Sequence, residues 1–211
     1  MRKLPVYLLL DTSGSMQGVA IESVRSGIDT LVTALRQDPH ALESAYLSVI
    51  TFSETAQQLV PLTELGQFQM PPIAASGTTS LGAALSLLAE RASHEVAKTT
   101  AEQKGDWKPM VFLMTDGEST DDLAAGIAAV KAGGIGSLIA CAAGPNANVT
   151  QLQRLTESVL RLDSADANSI KAFFKWVSAS IATTSQKVDL SKKDVGGLSD
   201  LPPPPPEISV L

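Results

Sequence analysis

The chain has 211 residues, 44% of them hydrophobic and 18% charged, which suits one domain with a real core, with room for an appendage. A net charge of -6 argues against a nucleic-acid-binding surface, and aromatics at 4% argue against stacking platforms for bases or sugars. A single cysteine, Cys141, and two histidines, His40 and His94, exclude an internal disulfide, a thiolate zinc cage and a histidine-rich metal site, so any metal must be held mainly by oxygen.

Arg2 and Lys3 followed by Leu4–Leu10 faintly resemble a signal peptide. The apolar run is short, contains Pro5 and ends in Asp11 without a small-residue cleavage site, so it reads as a strand and the expected compartment is the cytoplasm. The run is almost continuously apolar, as in a parallel-sheet strand buried on both faces. Ile21, Val24, Ile28, Leu31 and Leu35 recur at helical spacing and predict a helix over about 19–37, stopped by Asp38-Pro39.

Tyr46–Phe52 reads as a second strand and Gln57–Leu62 as a short third, where Pro61 suits an edge. Thr63–Thr79 is a long loop, a length that in compact domains often carries function. Its Met70-Pro71-Pro72-Ile73 patch leans towards a contact surface. Leu81, Leu85, Leu88, Ala92 and Val96 predict a second helix, and Met110–Met114 a fourth buried strand. Ser119 or Thr120 caps a third helix, with Asp121 and Asp122 near its positive end and Gly133-Gly134 closing it. Ser137–Ala143 is a fifth strand, Val149–Leu155 a short helix, Val159–Leu162 a last strand, and Ile170 to Ile181 a closing amphipathic helix.

Strand and helix alternate throughout, so the fold class is α/β, a Rossmann-like three-layer sandwich around a mostly parallel sheet. The pattern stops near Thr183, which divides the chain into a domain over 1–182 and a Pro-rich tail over 183–211. Pro202–Pro206 favour polyproline II. The tail is either a disordered linker end or a segment pinned on its own domain or on a neighbour. The Thr183-Thr184-Ser185 cluster at the predicted helix end is a candidate for phosphorylation.

Open parallel sheets form sites where strand order reverses. Asp11 ends the first strand and Asp116 the fourth; if those strands are neighbours at such a point, two carboxylates meet there. Ser13 and Ser15 lie in the turn beside them, and Gly77-Thr78-Thr79-Ser80 approaches the same edge. Two carboxylates and several hydroxyls form a hard-oxygen set suited to Mg²⁺ or Mn²⁺, with Ca²⁺ ranked lower. A cation held largely by neutral hydroxyls stays under-neutralised and attracts a carboxylate from a partner.

Asp11-x-Ser13-x-Ser15, Gly77-Thr78 and Thr115-Asp116-Gly117, in that order, resemble the metal-ion-dependent adhesion site (MIDAS) of von Willebrand factor type A (VWA) domains. The resemblance covers roughly residues 4–182. It implies Asp11, Ser13, Ser15, Thr78 and Asp116 as the metal set, and a six-stranded sheet whose short antiparallel edge strand is Gln57–Leu62. Thr79 is adjacent to Thr78, so which of the two faces the metal stays open.

The segments LPVYLLLDTSGSM, DPHALESAYLSVITF and VPLTEL are similar to TerY-like proteins of bacterial tellurium-resistance systems. That resemblance implies a cytoplasmic scaffold with kinase and phosphatase partners, not an enzyme. Two other functions stay open: a Mg²⁺-dependent phosphoryl-transfer enzyme, and binding chiefly through the Pro-rich tail. Against the first, Ser13 stands where an aspartyl-nucleophile phosphatase wants a second acid, and no P-loop is present.

Overall fold

The computed structural model describes residues 2–190 and 197–211. The strands are β1 (Leu4–Asp11), β2 (Ala45–Phe52), β3 (Ala56–Glu64), β4 (Met110–Thr115), β5 (Ser137–Ala143), β6 (Val159–Leu162) and β7 (Ile208–Val210). The helices are α1 (Val19–Arg36), α2 (Pro39–Ser44), α3 (Leu81–Glu95), α4 (Leu123–Ala132), α5 (Val149–Leu155) and α6 (Ala167–Leu190). The sheet runs β3-β2-β1-β4-β5-β6-β7. It is parallel from β2 to β6, and β3 and β7 pair antiparallel at its two edges. The resemblance implied six strands with one antiparallel edge; the seventh comes from the C-terminal segment.

Every residue of β1 is buried because both faces of the sheet are covered. Leu4, Val6, Leu8 and Leu10 pack with α1, α2 and α6, while Tyr7 and Leu9 pack with α3, α4 and α5. The period of two is present but hidden in the run, since apolar cover exists on either side. Helices α1 and α6 approach so closely that a Cβ on Gly27 would stand 2.3 Å from Cδ2 of the fully buried Phe174. Gly27→Ala is therefore expected to lower unfolding free energy by about 1–3 kcal/mol, an overpacking cost, measurable by urea titration.

Helix α2 lies between the predicted stop at Asp38-Pro39 and the second strand; Pro39 at its start and Asp38, whose Oδ1 accepts from Ala41 N at 2.9 Å, begin it. Asp122, rather than Ser119 or Thr120, caps α4, accepting from Ala125 N at 3.2 Å. Asp121 serves another helix: its two oxygens accept from Gly82 N at 2.8 Å and Ala83 N at 2.7 Å, at the start of α3. In the long loop, Ile73 is buried and Met70 packs against the core. The 70–73 patch thus tucks largely into the domain, leaving Pro72 exposed. Arg36 holds the preceding part of that loop, donating to the carbonyls of Leu65 at 3.1 Å and Phe68 at 2.5 Å. Cys141 is fully buried, and burial pushes its thiol pKa up, as befits an inert core residue.

Helix α6 continues past 182 to Leu190. Thr184 and Ser185 are buried in it, so the phosphorylation reading of that cluster has no exposed hydroxyl at those two positions. They remain compatible with burial because each donates to its own helix, Thr184 Oγ1 to Ser180 O and Ser185 Oγ to Ala182 O, both at 2.8 Å. The polar stretch 191–196, including Gly196, lies outside the described residues.

Beyond it the chain returns to the domain. Leu201 and Ile208 are buried in the same core as Trp176. The indole Nε1 of Trp176 donates to Pro202 O at 2.9 Å, and Lys187 Nζ donates to Asp200 O at 2.6 Å. Pro202–Pro205 each precede a proline, which confines them to extended or polyproline II backbone. A turn closed by Ile208 N donating to Pro205 O (2.9 Å) reverses the chain, and β7 runs antiparallel along β6, with Ile208 opposite Leu162 and Val210 opposite Leu160. Of the two readings of the tail, the one that pins it to its own domain describes residues 197–211.

Candidate metal centre

The sheet reverses between β1 and β4: α1 leaves β1 towards one face, and the chain reaches β4 through α3 on the other. Leu10 pairs with Met114, so Asp11 at the end of β1 faces Thr115 at the end of β4, with Asp116 one residue further out. The neighbourhood on which the two-carboxylate reading depended is present.

Asp11 is 1% exposed. Its Oδ1 accepts from Ser13 N at 2.8 Å and its Oδ2 from Thr115 Oγ1 at 2.5 Å. Burial pushes the Asp11 carboxyl above its ordinary value of 3.8; hydrogen bonds from Ser13 and Thr115 pull it back, and the nearby Asp116 charge adds an upward push. Ser15 Oγ donates to Asp116 Oδ1 at 2.7 Å, and Ser13 Oγ lies 3.0 Å from Ser15 Oγ. A tight Gly14–Met16 turn places both serines on the rim of the sheet.

The 75–77 segment is laced to this turn. Gly14 N donates to Gly77 O at 2.9 Å, Ser76 N to Thr12 O at 2.8 Å, and Gln17 Nε2 to Ala75 O at 3.2 Å. Thr12 itself is anchored to β2, its N and Oγ1 both donating to Phe52 O at 2.9 and 3.1 Å. Gly77 has φ +76°, and a Cβ there would stand 2.6 Å from Cγ of Glu54, so the lacing requires glycine.

That geometry separates the two adjacent threonines. Thr78 is exposed. Thr79 is 6% exposed, and its Oγ1 lies 3.4 Å from the point where a Cβ on Gly117 would stand. Its carbonyl accepts from Thr120 N at 2.9 Å, tying the α3 approach to the loop after β4. Thr79, the alternative weighed beside Thr78, is the hydroxyl over the Asp116-Gly117 loop. Glu118 is exposed on the rim, holding Gln151 Nε2 at 3.2 Å. Thr115 stands in the Thr115-Asp116-Gly117 motif but outside the metal set that the resemblance implies. It carries no charge, and its role depends on pairing across the sheet that local sequence does not display.

The donor polarity decides what this set can do. A hydroxyl has one proton and two lone pairs. Ser15 Oγ spends its proton on Asp116 and Thr115 on Asp11, so carboxylates act as proton acceptors around the rim. Ser15 Oγ accepts from Ser13 Oγ in turn, and at least one lone pair on each serine oxygen is left for a cation. Among the described residues no group of three or more His, Cys, Asp or Glu stands in metal-holding geometry. The set therefore offers a hard divalent cation neutral hydroxyls in direct reach, with two carboxylates behind them.

The model of the von Willebrand factor type A domain matches residues 6–176. No curated protein sequence matches the chain significantly. Among solved structures, proximal thread matrix protein 1 from the mussel byssus superposes with a TM-score of 0.64 at 21% identity, covering 84% of this chain and 48% of that one. A second crystal structure of that protein, described as having a zinc-occupied MIDAS motif, gives 0.61 at the same identity and coverage. The pilus adhesin SpaC from Lactobacillus rhamnosus GG gives 0.65 at 17% identity, over 87% of this chain and 30% of the adhesin. The chain thus spans about half or less of these proteins, and at such identities the likeness is one of fold. With the family model matching most of its length, the chain belongs to the von Willebrand factor type A domain family.

Proposed function

We propose that this chain is a metal-dependent protein-interaction module whose cation is held at the ends of β1 and β4. Ser13, Ser15 and Thr79 supply hydroxyl oxygens, and Asp11 and Asp116 supply the compensating charge behind them. Thr79 replaces Thr78 in the expected set because it is the buried hydroxyl beside Gly117. The observation that carries the reading is the hydroxyl polarity, with Ser15 donating inward to Asp116 and Thr115 to Asp11.

A cation in such a site would polarise an oxygen ligand from outside, and a carboxylate of a partner protein is the ligand favoured by an ion that only neutral hydroxyls touch directly. Mg²⁺ or Mn²⁺ is the proposed metal; the zinc-occupied MIDAS of the byssus protein makes Zn²⁺ worth including in any panel. The similarity of LPVYLLLDTSGSM and its companion segments to TerY-like proteins supports a cytoplasmic scaffold in a tellurium-resistance or stress-linked phosphorylation system, with kinase and phosphatase partners. Among the described residues no helix is long and apolar enough to cross a membrane. The scaffold role is a binding function rather than catalysis, and the matrix and adhesin names of the structural neighbours accord with it.

Affinity capture from the native cell, with and without chelator and with Asp116→Ala, tests this reading. Partner recovery is expected to require the metal and Asp116; recovery unaffected by both would overturn it. On the metal side, Thr79→Ala is expected to weaken Mn²⁺ binding by about tenfold or more, the loss of one ligand at roughly 1.4 kcal/mol. Thr78→Ala is expected to leave it within twofold. Calorimetric titration distinguishes the two.

A further inference from the structure

We infer that Thr115 is a positioning residue for the metal centre: its hydroxyl fixes the Asp11 carboxylate in the orientation that the cation requires. The inference rests on the metal-site reading above and names a group outside its ligand set.

Thr115 closes β4 and is 1% exposed. Its Oγ1 donates to Asp11 Oδ2 at 2.5 Å, a charge-assisted bond between two groups that bulk water scarcely reaches. The same oxygen accepts from Gly117 N at 3.3 Å. One hydroxyl therefore touches both halves of the site, the Asp11 side chain from β1 and the backbone that carries Asp116. A hydroxyl can do this because it donates once and accepts elsewhere.

Asp11 needs such a group. Ser13 N binds Oδ1 only. Without Thr115, Oδ2 would face the buried end of β4 with no donor from that residue. The carboxyl would then be free to turn about its bond to Cβ and lose its alignment with the turn that carries the serines. Groups that orient metal-binding side chains from behind are worth about 10–100-fold in affinity when removed.

Thr115→Val keeps the volume and the β-branch and deletes only the hydroxyl; Thr115→Ser keeps the hydroxyl and deletes the methyl. The probe is Mn²⁺ alone, followed by electron paramagnetic resonance of the free ion, with thermal melts of the metal-free chain as the second readout. Thr115→Val is expected to weaken Mn²⁺ binding about tenfold or more, and Thr115→Ser to stay within about threefold of wild type. The metal-free Val variant is expected to melt as one cooperative transition, while the increase in Tm that Mn²⁺ gives the wild type shrinks in it.

Equal Mn²⁺ affinity in wild type and Thr115→Val would overturn the inference and leave the metal site standing. Equal weakening in Val and Ser would overturn it too, because packing rather than the hydroxyl would then be responsible. If Thr115→Val does not fold, the Ser variant with Thr115→Ala carries the comparison under the same criterion. No Mn²⁺ binding by the wild-type chain would overturn the metal reading itself.

Discussion

Asp11→Asn is expected to abolish metal binding while raising the stability of the metal-free domain at neutral pH. The two effects have one cause. An ionised carboxylate at 1% exposure, beside a second carboxylate, is disfavoured in the folded chain unless a cation is present, which is why its pKa lies above 3.8. The sign follows from linkage. A carboxyl whose folded pKa is raised stabilises the fold below its unfolded value, and that contribution is lost as pH rises through the folded value.

The metal-free wild type should therefore lose stability as pH rises from about 4 through the raised Asp11 value, and the Asn variant should lack that component of the loss. Bound cation should cancel the loss in the wild type, and acidification should release the cation. Asparagine also offers an NH₂ group where Thr115 now finds an acceptor, disturbing the hydroxyl polarity as well as the charge. Thermal melts at pH 4, 5.5 and 7, with and without Mn²⁺, measure all of this. A metal-free Asn variant markedly less stable than wild type at pH 7 would contradict the electrostatic part of the account.

Removing residues 197–211 is expected to destabilise the domain by about 2–4 kcal/mol, or roughly 5–15 °C in Tm for a chain of this size. The deletion strips Leu201 and Ile208 from the core, and the Pro202 carbonyl from Trp176. Burial of two such side chains is worth about 1.5–3 kcal/mol each, and the entropy of ordering the segment offsets part of it. It also leaves β6 as an unpaired edge, so association at high concentration is expected. Ile208→Asp should reproduce most of the effect without shortening the chain. A truncated domain with unchanged Tm would show that the returning segment is dispensable, and would reopen the reading of the tail as a separate binding element.

The parts of the molecule legible in the sequence were those encoded by runs and periods. Leu4–Leu10 announced a strand buried on both faces, and its abrupt end in Asp11 marked the rim. The alternation of strand and helix allowed a reversal between β1 and β4, and the sheet order meets that condition, bringing Asp11 and Asp116 to one edge.

What stayed hidden was encoded at long range. Nothing local in Ile208–Val210 says which edge it joins, since three residues carry too little pattern and their partner, β6, lies far back in the chain. The polar look of Thr183-Thr184-Ser185 concealed a continuing helix because those hydroxyls are satisfied by its own backbone. Asp121 looked like a partner for the helix that follows it, yet it caps α3 from across the loop. Thr78 and Thr79 are chemically identical neighbours in an aperiodic loop. Only the bonds that lace Gly77 to Gly14 and Thr79 to Thr120 leave Thr78 exposed and Thr79 buried beside Gly117.

The central claim is that a divalent cation sits among the hydroxyls at the ends of β1 and β4. The most direct measurement is an anomalous difference map from crystals of the chain grown with Mn²⁺. The account predicts one strong peak in contact with Ser13 Oγ, Ser15 Oγ and Thr79 Oγ1, with Thr115 still bonded to Asp11 behind them. A map without a peak there at saturating Mn²⁺, or with the ion held by Asp121 and Asp122 instead, would contradict it.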